Sequence, residues 1–306
     1  MTTLILHHYP ASPFAEKIRL ILGYKQVPWK SVLIPVIMPK PDLVALTGGY
    51  RKTPVLQIGC DIYCDSALIA RVIDRAQPLS TMYPAQYLAA CTTMAAWADS
   101  VLFSAAISWA LQPEGAKSMF SNWAPEQLAA FAADRKQFRS NPNALRTPLD
   151  AASRLLAAFL PQLDRQLSEA GPFLFGTEPS IADFSVYHPL WFIKGAPAVS
   201  DILTVYPAIM RWMQAMVDAS HGSFEKLSSE DAIAIAKSSA PQSVGHSDIP
   251  HRAVIIAASD YGIDPIAGQL IHETPDTWTI AREDPRAGLV RVHFPKVGYS
   301  LTEAAH

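Results

Sequence analysis

The hydrophobic pattern of the first eighty residues alternates between short apolar runs and helical spacing. Leu4-Ile5-Leu6 has strand character, Tyr9-Pro10-Ala11-Ser12 reads as a turn, and Phe14, Ile18, Ile21 and Leu22 then recur with the period of one helix face. Ser12 followed by Pro13 is a helix N-terminus signal. Trp29 to Ile34 reads as a second strand, so the chain opens on a parallel βαβ unit. Beyond the proline-rich break Pro35 to Pro41, the pattern predicts a short helix over Asp42 to Leu46, ended by Gly48-Gly49. A strand over Val55 to Ile58 follows Pro54, which also suits a cis bond. Asp61 to Cys64 reads as its partner across Gly59-Cys60, and Asp65-Ser66 opens a helix over Ala67 to Arg75. The order β-α-β, loop, β-β-α predicts a thioredoxin-like α/β domain over residues 1–78, with a mixed sheet of four strands and helices on both faces.

Gln77 to Pro84 reads as a polar linker, after which the period is helical as far as Lys237. Helices are predicted over Tyr87 to Leu111, stopped by Pro113, over Pro125 to Phe138, and over Leu149 to Leu167, kinked or split at Pro161. Another begins at Ser180-Ile181-Ala182-Asp183, a capping-box pattern with Asp in the usual Glu place. The last two span Pro207 to Ala219 and Glu225 to Lys237. Residues 85–238 are therefore expected to form an all-helical domain. Ser238 to Pro250 reads as a second linker, and then the period changes. Val254 to Ile256, Thr277 to Ile280 and Leu289 to Phe294 look like strands, predicting a small β-rich extension over residues 251–306 that leans on the helical part.

Composition narrows the function. Half the residues are hydrophobic, 17% are charged, and the formal charge is −2 with no basic stripe, which argues against nucleic acid and anionic membrane as partners. No apolar run is expected to reach the length of a membrane span, and the start lacks the pattern of a secretory signal. Cys60, Cys64 and Cys91 make neither a metal nor a disulfide framework, so a reducing, cytoplasmic home is expected. No metal site is expected: His7 and His8 point to opposite faces of a strand, and Pro275 breaks the helix that a zinc motif after His272-Glu273 would need. Tyr261 to Pro265 reads either as a turn or as a binding loop.

Ser12 lies where a strand passes into a helix, among free backbone N–H groups that favour an anion. A plain helix cap is the simplest use of such a serine. The segments around it resemble the soluble glutathione transferase family over about the first 235 residues. Ser12-Pro13-Phe14-Ala15-Glu16-Lys17-Ile18-Arg19-Leu20 is similar to the omega-class segment that carries that class's catalytic cysteine, with Ser in the Cys place. Lys40-Pro41-Asp42, Lys52-Thr53-Pro54-Val55-Leu56 and Asp65-Ser66-Ala67-Leu68-Ile69 resemble the family's glutathione-site motifs in order and spacing.

The resemblance implies a cytosolic homodimer with glutathione as co-substrate and a small hydrophobic electrophile as its second substrate. It implies that Ser12 would donate a hydrogen bond to the glutathione sulfur and favour the nucleophilic thiolate. Thr53 would pair with the cysteinyl backbone, Asp65 and Ser66 with the γ-glutamyl group, and Lys40 or Lys52 with the glycyl carboxylate. Tyr9, Phe103 and Trp109 are candidates for the electrophile wall, or else core. Two departures stand out: Asp65 replaces a longer acid or amide, and Ser12 lacks the thiol for a mixed disulfide. The alternatives are a binding or scaffold protein on the same fold and a glutathione-dependent isomerase or dehalogenase. The resemblance says nothing of the extension.

Overall fold

The computed structural model describes residues 3–77, 81–241 and 249–304. The linkers expected over 77–84 and 238–250 lie partly outside them.

The opening unit folds as its pattern predicts. Strand β1 (Leu4–His8) leads into helix α1 (Pro13–Tyr24), and β2 (Trp29–Leu33) returns parallel to β1. Helix α2 (Pro41–Thr47) ends at Gly48, whose φ of 81° favours glycine. Strands β3 (Val55–Ile58) and β4 (Asp61–Cys64) form an antiparallel pair, and α3 (Ser66–Ala76) follows. The Met38–Pro39 and Thr53–Pro54 peptide bonds are cis.

The helical part begins with one apolar run, Ala85–Ala110, in which α4 (Leu88–Trp97) and α5 (Phe103–Ala110) are joined by a π-helical turn, Ala98–Leu102. Against the sequence expectation, this run is long and apolar enough to cross a membrane by length and composition, although part of it is buried inside the fold. The π-turn carries Asp99 inward, where it meets the buried Lys17 of α1 at 2.6 Å and His188 at 3.0 Å. Pro113, expected only to stop a helix, opens a new one, α6 (Pro113–Met119), because proline suits the first helical position. Helix α7 (Pro125–Phe138) is largely exposed. Helix α8 (Leu149–Glu169) runs unbroken through Pro161. After α9 (Ile181–Lys194) come the short α10 (Asp201–Thr204) and α11 (Pro207–Asp218).

The capping box at Ser180 does more than start α9. Buried Asp183 accepts from the Ser180 amide at 2.8 Å, the Ser180 hydroxyl at 2.9 Å, the Leu174 amide at 2.9 Å and the Trp212 indole at 3.0 Å. It thereby ties the start of α9 to α11 and to the preceding turn. Asp183→Asn keeps the shape but loses an acceptor and gains a mismatched N–H, so unfolding stability should fall by about 2 kcal/mol in a denaturant titration.

The chain beyond residue 223 departs most from expectation. Glu225 and Lys226, expected to begin a helix, belong instead to strand β5 (Phe224–Lys226), which pairs parallel with β2. Helix α12 (Ser229–Ser238) starts only after it, capped by Ser228, which accepts from the Asp231 amide at 3.0 Å. The extension forms five strands: β6 (Arg252–Ala258), β7 (Ile266–Glu273), β8 (Thr277–Asp284), β9 (Gly288–Pro295) and β10 (Tyr299–Glu303). It does not lean chiefly on the helices. Strand β9 pairs parallel with β4, and one ten-stranded sheet results, ordered β10-β6-β7-β8-β9-β4-β3-β1-β2-β5. The expected four-stranded sheet, β4-β3-β1-β2, lies towards one end of this larger one, with the five strands of the extension beyond β4 and β5 beyond β2.

Two apolar cores follow. On one side α1, α3, α4, α5 and the helices from α8 to α11 pack around Ile18, Ile69, Leu160 and Phe184. On the other, α2 and α12 cover a layer in which Ile5, Val55 and Ile62 meet Val254, Ile280, Val292 and Phe294. The seam between β4 and β9 is also polar: buried Asp61 pairs with His293 at 2.8 Å, and His293 stacks on Tyr63 at 4.4 Å.

Candidate functional site

The turn between β1 and α1 is fixed from beneath. Arg19 donates to the Tyr9 and Pro10 carbonyls, at 3.4 and 2.9 Å, and to Glu16 at 2.6 Å, and it lies 3.0 Å from the His8 ring. A guanidinium with five donors in a plane can hold several carbonyls and a carboxylate at once, which explains how so tight a turn keeps one shape. Ser12 then caps α1: its Oγ accepts from the Ala15 amide at 3.2 Å, and the residue is 2% exposed.

Tyr9 stands beside it. Burial pushes the Tyr9 phenol up, while Arg135 and a hydrogen bond with Ser12 pull the other way, so Tyr9 is a protonated donor at neutral pH. Lys40, at the start of α2, lies 5.5 Å over the Tyr9 ring and is 3% exposed. Burial, with neighbouring Arg135 and Arg51 and against the opposing pull of Asp134, lowers its pKa to about 8. Asp134 of α7 is the counter-charge of this cluster, at 2.8 Å from Arg51 and 2.6 Å from Arg135. Helix α7 is pinned over the site: Asp134 also accepts from the Met38 amide at 3.2 Å, and Arg135 donates to the Val36 carbonyl at 3.2 Å.

The second group lies at β3 and α3. Thr53 precedes the cis proline, and its buried Oγ1 has no hydrogen-bond partner among the described residues. Asp65 holds a φ of 80°, strained for a non-glycine residue, and caps α3 by accepting from the Ala67 amide at 2.9 Å. Ser66 is the first residue of α3 and is buried. The other Asp65 oxygen accepts from the Tyr299 hydroxyl at 3.1 Å, and Tyr299 bonds Tyr50 at 2.8 Å. Lys52 pairs with Asp260 at 2.6 Å, and its ammonium lies 4.5 Å from the Tyr261 ring and 5.4 Å from that of Tyr299.

The loop after β6 is clasped to α7. The Gly262 amide donates to the Phe138 carbonyl at 2.9 Å, and the Asn141 side chain donates to the Ser259 and Asp260 carbonyls at 3.0 and 2.6 Å. The Tyr261 and Phe138 rings meet edge-on at 5.2 Å. Helix α7 and the extension thus roof the site from two sides. Two cavities lie elsewhere, one by Tyr24, Phe173 and Met216, the other by Leu20, Tyr187 and Trp191.

The remaining candidates separate. Phe103 packs on Phe14 at 4.6 Å, two residues from Ser12, and so lies near the turn. Trp109 is tied to the Val199 carbonyl at 2.9 Å, at the far end of α5. Cys64 is wholly buried, and burial pushes its thiol well up, so it is not a ready thiolate. His7 turns to Gln57 at 2.8 Å and His8 to Ser31 at 2.9 Å, on opposite faces as expected. Sequence reasoning missed Arg51, Asp134 and Arg135, which belong to no motif that it singled out. It also missed Asp260 and Tyr299, which no local pattern marks.

Comparison with known proteins matches this geometry to a family. The model of the glutathione S-transferase N-terminal domain matches residues 6–81, and that of the C-terminal domain matches residues 146–215. A solved glutathione S-transferase-like protein from Pseudomonas syringae is 42% identical, with a TM-score of 0.83 over 99% of this chain and 100% of that one, so the match runs through the extension. A glutathione S-transferase from Methylobacillus flagellatus, solved with glutathione bound, shares the fold at 20% identity and a TM-score of 0.51, over 75% of this chain and 98% of that one. Pyrimidodiazepine synthase of Drosophila melanogaster is 33% identical over 76 residues, 24% of this chain, and the match spans about a third (31%) of that relative's length. The two domain types in their order, and an end-to-end relative at that identity, place the chain in the glutathione S-transferase family.

Proposed function

We propose that the protein is a glutathione transferase that activates the glutathione thiol at Ser12 for attack on a small hydrophobic electrophile. The observation that carries the reading is the placement of the Ser12 hydroxyl at the N-terminus of α1, beside the protonated Tyr9 hydroxyl. Two donors and a helix dipole at one point stabilise a thiolate more than a thiol. Lys40, with Arg51 and Arg135 around it, suits the glycyl carboxylate. The Thr53 hydroxyl, without a hydrogen-bond partner among the described residues, and Ser66 at the start of α3 suit the peptide and γ-glutamyl groups. Phe14 and Phe103 supply an apolar surface next to the turn for the electrophile. A cytoplasmic homodimer is part of the same proposal.

Retention on immobilised glutathione tests this reading, with elution by free glutathione. A scaffold protein on the same fold is the competing reading. It is favoured by the burial of Ser12 and by the pairing of Lys52 and Asp65 with the extension. Failure of the wild-type chain to bind glutathione would give the scaffold reading the case.

The low pKa of Lys40 sets a pH dependence. Lys40 is charged below about pH 8 and neutral above it, so carboxylate binding is strong on the acid side and fades as pH rises through 8. Affinity for S-methylglutathione, which has no titrating thiol, should weaken as pH rises past that point and level off about tenfold weaker. Lys40→Met should be about tenfold weaker at neutral pH and should lack this limb.

A further inference from the structure

The extension meets the two charged residues that, on the glutathione reading, receive the two charged ends of the tripeptide. Asp260 places a carboxylate oxygen 2.6 Å from the Lys52 ammonium. Tyr299 places a hydroxyl donor 3.1 Å from an Asp65 oxygen whose partner oxygen already caps α3. The chemistry matches in sign at both places: an internal carboxylate on the cation, and an internal hydrogen-bond donor on the anion. Both contacts come from one small region. The Tyr261 and Tyr299 rings flank Lys52, Tyr50 holds the Tyr299 hydroxyl, and Asn141 with Phe138 fixes the loop that carries Asp260. The Tyr299 ring also packs in the second core, against Tyr50 and Phe294, but neither that packing nor the pairing of β10 with β6 requires its hydroxyl to meet Asp65.

We propose that the extension is an intramolecular pseudo-ligand of the glutathione site, with Asp260 standing on Lys52 in place of a peptide carboxylate and the Tyr299 hydroxyl standing on Asp65 in place of an ammonium group. Its consequence is selectivity. Glutathione gains little from either residue until the internal partner is displaced, so the glycyl end is left to the Lys40 cluster. Thiols of the γ-glutamyl class whose glycyl carboxylate is masked then lose less, relative to glutathione, than they would at an open site. The proposal rests on the glutathione reading and concerns how that site is occupied.

The test is calorimetric titration of the full-length chain, wild type and two point variants, with glutathione and with its glycyl monoethyl ester. Asp260→Asn frees Lys52 while keeping the loop's shape, and should tighten glutathione about fivefold with the ester unchanged. Tyr299→Phe frees the Asp65 oxygen at the end common to both ligands, and should tighten glutathione and ester alike, by about threefold. The lone hydroxyl this leaves on Tyr50 lowers stability, so the melting temperature of each variant is measured alongside; Asp260 is half-exposed and its variant is expected to melt with the wild type. Equal affinities of wild type and Asp260→Asn for glutathione, or a loss of affinity in that variant, overturn the proposal and leave the glutathione reading standing. Absence of binding of either ligand to all three chains overturns both.

Discussion

Ser12→Ala should lower turnover of a generic electrophile by about 100-fold to 1,000-fold and leave glutathione affinity within about threefold. The asymmetry follows from what the hydroxyl does. On the proposed reading it touches only the sulfur, and its hydrogen bond is stronger to the thiolate than to the thiol, so its loss raises the thiol pKa and the barrier together. The tripeptide's other contacts, at Lys40, Thr53 and Ser66, remain. Ser12 also caps α1. The variant should therefore lose about 1 kcal/mol of stability, visible as a small drop in melting temperature and separable from the kinetic effect. Tyr9 keeps a donor near the sulfur and sets the residual rate. Undiminished turnover in Ser12→Ala would move the activating role to Tyr9, and Tyr9→Phe would then carry the large loss. Ser12→Cys gives a further reading of the same point. A thiolate there can attack glutathione disulfide, form a mixed disulfide and release one glutathione, which mass spectrometry would register as the added tripeptide.

The fold of the first eighty residues was legible because local signals and tertiary structure agree there. Ser12-Pro13, Gly48, Pro54 and Asp65-Ser66 each sit at an element boundary for a reason that one residue's chemistry supplies. The Ser180–Asp183 pattern was legible on the same terms. The failures have physical causes. Strand β7 carries its buried residues at Ile266 and Leu270, with Gly268 between them and a register shift after Leu270, so its alternation is interrupted. Strands β5 and β10 are short and mostly polar outward, and exist because a sheet edge was there to pair with. Pro113 read as a stop because a proline that ends one helix and one that begins the next look alike in sequence. The candidate site was legible only in its first-domain half. The partners of Lys52 and Asp65 lie more than two hundred positions away, and no local pattern marks Asp260 or Tyr299.

The largest effect on stability should come from the segment that the sequence presents as an appendix. A chain ending at residue 250 is expected to lose cooperative unfolding altogether. Strand β9 is not peripheral: β4 pairs with it, and α2, α3 and α12 pack on it. Without it, Leu43, Leu46, Tyr50, Ile62 and Ile233 lose much of their apolar cover. Buried Asp61 loses His293, and β4 becomes an open edge. Uncovering five large side chains in part and removing the His293 partner of a buried carboxylate costs on the order of 10 kcal/mol, the size of a whole domain's stability. The truncated chain should be insoluble, or soluble with dye-binding hydrophobic surface and no thermal transition. Phe294→Ala in the full chain, which opens a cavity in the same layer, should cost about 3–5 kcal/mol and keep a cooperative transition. A truncated chain that melts cooperatively within a few degrees of the full one would show the first domain to be self-sufficient, and the second core to be a packing of two independent units. For the same reason, deletion is the wrong instrument for asking what the extension does at the glutathione site. It removes Asp260 and Tyr299 only together with the layer that keeps Lys52 and Asp65 in place, whereas a single atom changed at position 260 leaves that layer intact.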